Sequence, residues 1–532
     1  MTSLRAKVLV IGLGDTGASC VRWLVEHDAT VRGTDTRAET HHAQHLREAF
    51  PEVPLSLGGF RQEDFDWADL LVVSPGVPIA TPEIAAAMAA GKEVVGDVEL
   101  FARAIRGSHA KVIAITGSNG KSTVTSLAGH LCAAYGLDTV VAGNIGLPVL
   151  EALEQREAKG KYPDVWVLEL SSFQLETTSS LEADAATVLN ISQDHMDRYP
   201  SLDVYAAAKA RIFGVATGAG ADRARSKASC IQVLNRDDAA VMAMGLAGHT
   251  QWSFGIEGIT RLDADSSGPL THDVGQDAGQ GLGQGLGHFH LATRKERLWL
   301  AEGHEALLPV DKLTIDGLHN AANTLAALAL CRAIGLDYDG LIPALKTFEG
   351  LPHRVQRVGE LDGRLFYDDS KGTNVGATVA ALKGFTVPVV LIAGGDGKGQ
   401  DFSSLRDAVQ NARAVIQIGV DGPQIAAAIG NACHVERADS MEAAVQRAFK
   451  LSQAGDAIVL SPACASFDMF RNYAHRAEVF ISAFEAMAGK IANLTASRGE
   501  RRAGERRRAG RNPAAVVMER RAGKRRRGEH VS

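Results

Sequence analysis

Five short stretches of this chain are apolar without interruption: Leu70-Leu71-Val72-Val73, Val112-Ile113-Ala114-Ile115, Val165 to Leu168, Val389 to Ala393 and Ala457 to Leu460. A strand with one wet face alternates apolar and polar residues, so unbroken runs mark strands buried on both faces. Helical stretches separate them, which is the rhythm of parallel βαβ units. A chain of 532 residues is too long for one core, so two to four α/β domains are expected. Loop signals divide it into regions of about 1–101, 102–350 and 351–496. The third opens at Gly350-Leu351-Pro352-His353-Arg354, where Pro352 makes a hinge. A Gly-rich stretch near 257–290, with weak periodicity, reads as a flexible surface insertion in the second region.

Composition excludes several classes. No apolar stretch reaches the roughly 18 residues needed to span a bilayer, and Met1 leads almost directly into a strand-like Val8-Leu9-Val10-Ile11, with no secretory signal. Six scattered cysteines have no paired metal spacing and read as reduced thiols, so a cytoplasmic enzyme is expected. The net charge of −6 hides a basic tail, 497–532, with 13 Lys and Arg against 4 Glu. Almost without large apolar residues, it cannot bury a core and is expected to be disordered. It could tether an acidic surface, but no nucleic acid is needed for the chemistry below.

The run Val112 to Ile115 opens into Thr116-Gly117-Ser118-Asn119-Gly120-Lys121-Ser122-Thr123. A strand, a glycine turn and a helix start aim several N–H groups at one point, which suits phosphate oxygens. Lys121 adds a point charge, and Ser122 or Thr123 a hydroxyl for Mg²⁺. The usual early glycine is replaced by Ile115, making this a shortened variant with Gly117 at the turn. A nucleoside triphosphate is the expected ligand.

Other polar groups fall just past strands. Gly12-x-Gly14-x-x-Gly17 follows the first strand and Asp35 ends the second. That pattern fits a dinucleotide, a nucleotide-sugar diphosphate or a plain tight turn. Asp35-Thr36-Arg37 and Ser74-Pro75-Gly76-Val77-Pro78 share the same edge. Glu169 ends Val165 to Leu168, and a buried Glu needs a partner or a metal, so it is a candidate Mg²⁺ ligand. His195, in Asn190 to Asp197, reads as a ligand or as an ordinary surface or core histidine. Lys209 reads as a solvent-facing helix lysine. Asn320 and Asn323, on one helix face, could read a purine or cap the helix. In the third region Asp368 to Asn374, Gly394 to Lys398 and Ser461 to Asp468 each follow a strand and define one sheet edge.

In this order the pieces resemble the Mur ligases of peptidoglycan synthesis, over about Lys7 to Lys490 without the Gly-rich insertion and the tail. The specific signals are Thr116 to Thr123, Asn190 to Tyr199, Leu351-Pro352-His353-Arg354, Asp369 to Asn374, Gly394 to Lys398 and Ser461 to Ser466. Asp35-Thr36-Arg37 and the last three motifs favour the D-glutamate-adding branch. The resemblance implies three α/β domains: a Rossmann-like one for UDP, a central P-loop-type ATPase and a Rossmann-like C-terminal one. It implies ATP and Mg²⁺ as cofactors, UDP-N-acetylmuramoyl-L-alanine and D-glutamate as substrates, and a monomer.

It also implies roles. Gly117, Ser118, Asn119, Gly120, Lys121, Ser122, Thr123, Asn320, Asn323, Arg354 and Asp369 would hold ATP. Ser122, Glu169, His195 and a carbamylated Lys209 would hold Mg²⁺, and Lys121, Glu169, His195 and Lys209 would act in catalysis. Gly14, Asp15, Thr16, Asp35, Thr36, Arg37, Gly76, Asn144 and His195 would bind the UDP-sugar. Lys371, Thr373, Lys398, Ser466 and Tyr473 would bind D-glutamate, with Tyr473 standing where the family has phenylalanine. Two other readings compete. A nicotinamide oxidoreductase would use Gly12 to Gly17 but leaves the phosphate loop and Lys398 unexplained. A folylpolyglutamate-synthase-like ligase would lack the first domain.

Overall fold

Residues 6–214, 230–262 and 286–509 are described by the computed structural model, with side chains as far as 491. Each apolar run is a central strand. Val8 to Ile11, Val165 to Leu168 and Ala457 to Leu460 are almost wholly excluded from solvent, as required of strands covered by helices on both faces.

Three sheets follow in chain order. The first is all parallel, ordered Leu55–Leu57, Thr30–Asp35, Lys7–Ile11, Leu70–Val73, Glu93–Val95. The strand order reverses at Lys7–Ile11, and a crevice opens there beyond the strand ends, at Gly12 and Ser74. The second sheet has ten strands among the described residues. Its parallel part places Lys111–Thr116 between Val165–Glu169 and Ala185–Val188. The phosphate loop, Glu169 and Asn190 therefore leave adjacent strands at one edge. The third sheet pairs Arg364–Asp368, Ala457–Leu460, Val389–Gly394 and Ala412–Ile418 in parallel, with Gln356–Leu361 antiparallel at its border.

Packing divides the molecule less evenly than the sheets do. One continuous apolar cluster joins Val8, Trp23, Leu100 and Phe101 to Leu150, Leu153 and Trp166. Phe101 meets Trp166 edge to face at 5.0 Å. The division expected at 101 thus falls inside a buried helix, Asp97–Ala104, which seals the first sheet to the second. The third sheet's clusters draw only on residues from 355 onward.

Two expectations need correction at their edges. Thr260–Arg261 and His288–Arg294 pair as strands, so the ends of the expected flexible insertion belong to the second sheet. His290 is buried along with Phe289 and Leu291; 263–285 lie outside the described residues. The final helix, Tyr473–Ala509, continues through 497–509 of the tail expected to be disordered. Ala, Arg and Glu are strong helix formers even where they cannot make a core, and 510–532 lie outside the described residues. The described cysteines are all free. Among the described residues no helix is long and apolar enough to cross a membrane.

Candidate active site

The phosphate loop is built on glycine where the backbone demands it. Gly117 and Gly120 have φ of 152° and 83°, and a Cβ on Gly120 would lie 2.7 Å from Asn323 Oδ1. Ser118 N–H donates to Asn190 O at 2.9 Å and Asn119 N–H to Asn190 Oδ1 at 2.8 Å. Lys121 begins the helix and donates from Nζ to the carbonyls of Gly117 and Ser118. Burial lowers its pKa, while Glu169 and Asp194 act in the opposite direction. Ser122 Oγ accepts from Arg354 Nη2 at 3.0 Å, a contact between the second and third regions.

Glu169 is buried at its strand end. Oε1 accepts from Asn144 Nδ2 at 2.7 Å, while Oε2 is buried without a hydrogen-bond partner among the described residues. An orphaned carboxylate oxygen beside a phosphate loop is chemically suited to a hard divalent cation. Among the described residues no three His, Cys, Asp or Glu form a ready cage, so such an ion would rest on one or two side chains plus phosphate oxygens. His195 adopts a left-handed backbone, φ 58°, with Nε2 3.6 Å from Asp194 Oδ2. Burial lowers its pKa, and the Lys398 and Lys121 charges lower it further, against Asp194. A neutral imidazole able to ligate a metal results.

Lys209 differs most from its reading as a solvent-facing helix residue. It is 1% exposed, donates to Gly117 O at 2.9 Å, and lies 4.6 Å from the Tyr205 ring centroid. Burial drives its pKa well down, and the nearby Lys121 ammonium adds to the effect. The structure brings this amine against the phosphate loop, where a neutral form is favoured.

A cavity of about 290 Å³ lies between the second and third regions. Asn119, Gly120, Thr123, Asn320, Asn323, Arg354 and Asp369 line it; Gly117, Ser118, Lys121 and Ser122 do not. Burial raises the Asp369 carboxyl to a pKa of about 7, although Ser461 donates to it and Arg354 lies near. Asn190, which the sequence places at the binding edge, also lines the cavity, and the sequence reading missed three further lining residues: Asn235, Asp237 and His319. Asn235 ends a strand of the same sheet edge, a placement that could have flagged it as it did Asn190. Burial takes His319 down to a pKa of about 4.

A second cleft, about 740 Å³, opens at the reversal point of the first sheet. Gly14, Asp15, Thr16, Asp35, Thr36, Arg37, Gly76 and Asn144 all line it. Burial alone would raise the pKa of Asp35, but the Arg37 guanidinium and the Leu13 N–H outweigh it and hold the group at about 2. His195 does not line this cleft. Asn144 connects the two halves of the site, because its side chain lines the cleft and donates to Glu169.

In the third region Lys371, Thr373, Lys398 and Ser466 sit in loops, and Tyr473 begins the final helix. Lys371 Nζ stands 3.7 Å from the Tyr473 ring centroid. Thr373 N–H donates to Lys371 O. Asp396 and Ala465 exchange backbone hydrogen bonds, which sets the Lys398 turn beside the buried Ser466. Lys371 and Lys398 bring positive charge to these loops, and the Lys398 ammonium is felt at His195.

Three family models match this chain in order. They are the Mur ligase MurD-like N-terminal domain at 6–96, the Mur ligase middle domain at 115–331 and the Mur ligase glutamate ligase domain at 353–464. The chain belongs to the Mur ligase family. It is 53% identical to the UDP-N-acetylmuramoylalanine–D-glutamate ligase of Chromobacterium violaceum, across 90% of this chain and 97% of that one. It is also 53% identical to the ligase of the same name from Methylobacillus flagellatus, across 91% and 98%. Among solved structures it resembles MurF ligase from Thermotoga maritima in complex with ADP, at TM-score 0.56 and 16% identity, covering 92% of this chain and 96% of that one. It also resembles UDP-N-acetylmuramate-alanine ligase MurC from Thermotoga maritima, at TM-score 0.51 and 17% identity, covering 91% and 100%. At these identities the solved structures bear on fold alone.

Proposed function

We propose that the protein joins D-glutamate to UDP-N-acetylmuramoyl-L-alanine with ATP, as a cytoplasmic, monomeric enzyme of peptidoglycan precursor synthesis. The observation that carries this reading is the link through Asn144. One side chain borders the cleft of the first sheet and binds the carboxylate beside the phosphate loop. The roughly 50% identity to ligases of that name supports the choice of substrates.

A free carboxylate is a poor electrophile. Transfer of the γ-phosphoryl group onto a carboxylate oxygen expels ADP and leaves an acyl phosphate. The amine of D-glutamate then attacks the carbonyl carbon, and the tetrahedral adduct collapses with loss of inorganic phosphate. The protein's task is to position the groups and offset their negative charge. In this reading Lys121 and the loop N–H groups hold the β- and γ-phosphates. Asn320, Asn323, Arg354 and Asp369 address the nucleoside, with Arg354 carried by the third region. Glu169 and Ser122 would hold one Mg²⁺, and His195 a second with Lys209 carbamylated; the ions would polarise phosphate oxygens. A buried, neutral Lys209 amine is the form that can add CO₂. Lys371, Thr373, Lys398 and Ser466 hold the D-glutamate carboxylates, and the Tyr473 ring supports Lys371.

The test is phosphate release from ATP and Mg²⁺ with UDP-N-acetylmuramoyl-L-alanine, offering D-glutamate, L-glutamate, lysine or diaminopimelate in turn. Release with D-glutamate alone is expected. Turnover with diaminopimelate but not D-glutamate contradicts the assignment, and EDTA should abolish release in every arm.

A further inference from the structure

Arg198 has no part in the site described so far, yet its guanidinium is nearly buried and spans two regions. Nη1 donates to Pro75 O at 2.7 Å, in the loop that walls the first-sheet cleft. Nη2 pairs with Glu176 Oε2 at 2.6 Å, at the end of the helix Ser172–Glu176 in the second region. The guanidinium carbon lies 4.1 Å from the Phe173 ring centroid, and that ring meets the His195 ring at 4.7 Å. Tyr199 Oη donates to the other Glu176 oxygen, and the backbone N–H groups of Arg198 and Tyr199 both donate to His195 O.

Burying a guanidinium is costly unless its donors are used. Here they fasten together two walls whose spacing matters. On one side is the Ser74 to Val77 loop, itself tied to the glycine turn by Ser74 Oγ donating to Gly12 O at 2.6 Å. On the other side are the left-handed His195 turn and Gln174, which also lines the cleft. A ligand lying along the cleft must place its far carboxylate beside Glu169, so a shift between the walls would misplace it.

Resting on the ligase reading, we propose that Arg198 is a positioning residue that sets the reach from the nucleotide-sugar cleft to the reacting carboxylate. It touches neither substrate nor metal in this role. A lysine can keep the pair with Glu176 but cannot also fork to the Pro75 carbonyl.

Steady-state kinetics on the full chain test this assignment, together with calorimetric titration of UDP-N-acetylmuramoyl-L-alanine without ATP. Arg198→Ala should raise KM and Kd for this substrate by about tenfold or more, the scale of a lost buried charged hydrogen bond. KM for ATP and D-glutamate should stay within about twofold, and Arg198→Lys should recover only part of the loss. Should Arg198→Ala fold poorly, Glu176→Gln is expected to give a smaller shift in the same substrate alone. Equal binding by wild type and Arg198→Ala overturns the assignment, as does a uniform rise in all three KM values. A wild-type protein that binds the sugar nucleotide without turnover overturns the ligase reading instead, while the titration still tests Arg198.

Discussion

A carboxylate oxygen buried without a donor is costly, and among the described residues Glu169 carries one beside the loop Thr116 to Thr123. Glu169→Gln keeps the shape and a hydrogen bond to Asn144 but removes the charge. It should cut turnover by about a hundredfold or more, and raising Mg²⁺ should restore little of it. Lys209→Ala should lose most activity, and short added carboxylic acids should restore part; full activity in the unsupplemented variant would rule out a metal-bridging carbamate. Asp369 gives a pH test. Its folded pKa of about 7 lies above the unfolded value near 4. Between those values the folded protein holds a proton that the unfolded chain has released. Stability therefore falls as pH rises across that window, and Asp369→Asn should flatten the slope of melting temperature against pH. At this scale the sequence showed residue types and not surroundings. Glu169 was legible because an acid ending an apolar strand is chemically conspicuous. Lys209 was not, because Thr116 and Gly117 reach it from elsewhere in the chain.

Strand ends are where the elements of this protein meet its chemistry, and Gly143 shows how tightly. It ends the strand Thr139–Gly143 at φ 112°, where an added Cβ would lie 2.3 Å from the Glu169 carbonyl oxygen. Gly143→Ala should cost about 1–3 kcal/mol of stability and displace Glu169, lowering activity further than stability alone explains. Gly136→Ala is the control: φ is 101° but nothing among the described residues lies within 4 Å. Backbone strain alone, about 1–2 kcal/mol, should lower the melting temperature and leave turnover per folded molecule unchanged. Thermal melts and specific activity separate the two. The unbroken apolar runs made the parallel strands readable, and with them the edge that carries the candidate residues. The border strands His288–Arg294, Arg297–Glu302 and Glu305–Pro309 were not readable as a sheet extension. Pairing across a hairpin at a sheet's edge tolerates mixed faces, so the residue pattern does not say which sheet these strands join.

Across the whole molecule, the first two sheets share one apolar core, whereas polar contacts tie the third to the second. Arg354 reaches Ser122, and Asn374 Nδ2 donates to Asn119 Oδ1 at 3.1 Å. A nucleotide between them adds contacts that the unfolded chain lacks. A non-hydrolysable ATP analogue with Mg²⁺, at a hundred times its Kd, should stabilise the protein by about 2.7 kcal/mol. Arg354→Ala should abolish most of that shift in the melting temperature. Three regions could be counted from loops and motifs, but shared and separate cores could not, since Phe101 finds Trp166 only through the folded chain. The central claim is that the substrate carboxylate is phosphorylated before the amine arrives. UDP-N-acetylmuramoyl-L-alanine labelled with ¹⁸O in its alanyl carboxylate tests it, with the released phosphate read by mass spectrometry. The account predicts one labelled oxygen in each phosphate formed per amide; phosphate released free of label, alongside amide product, would contradict it.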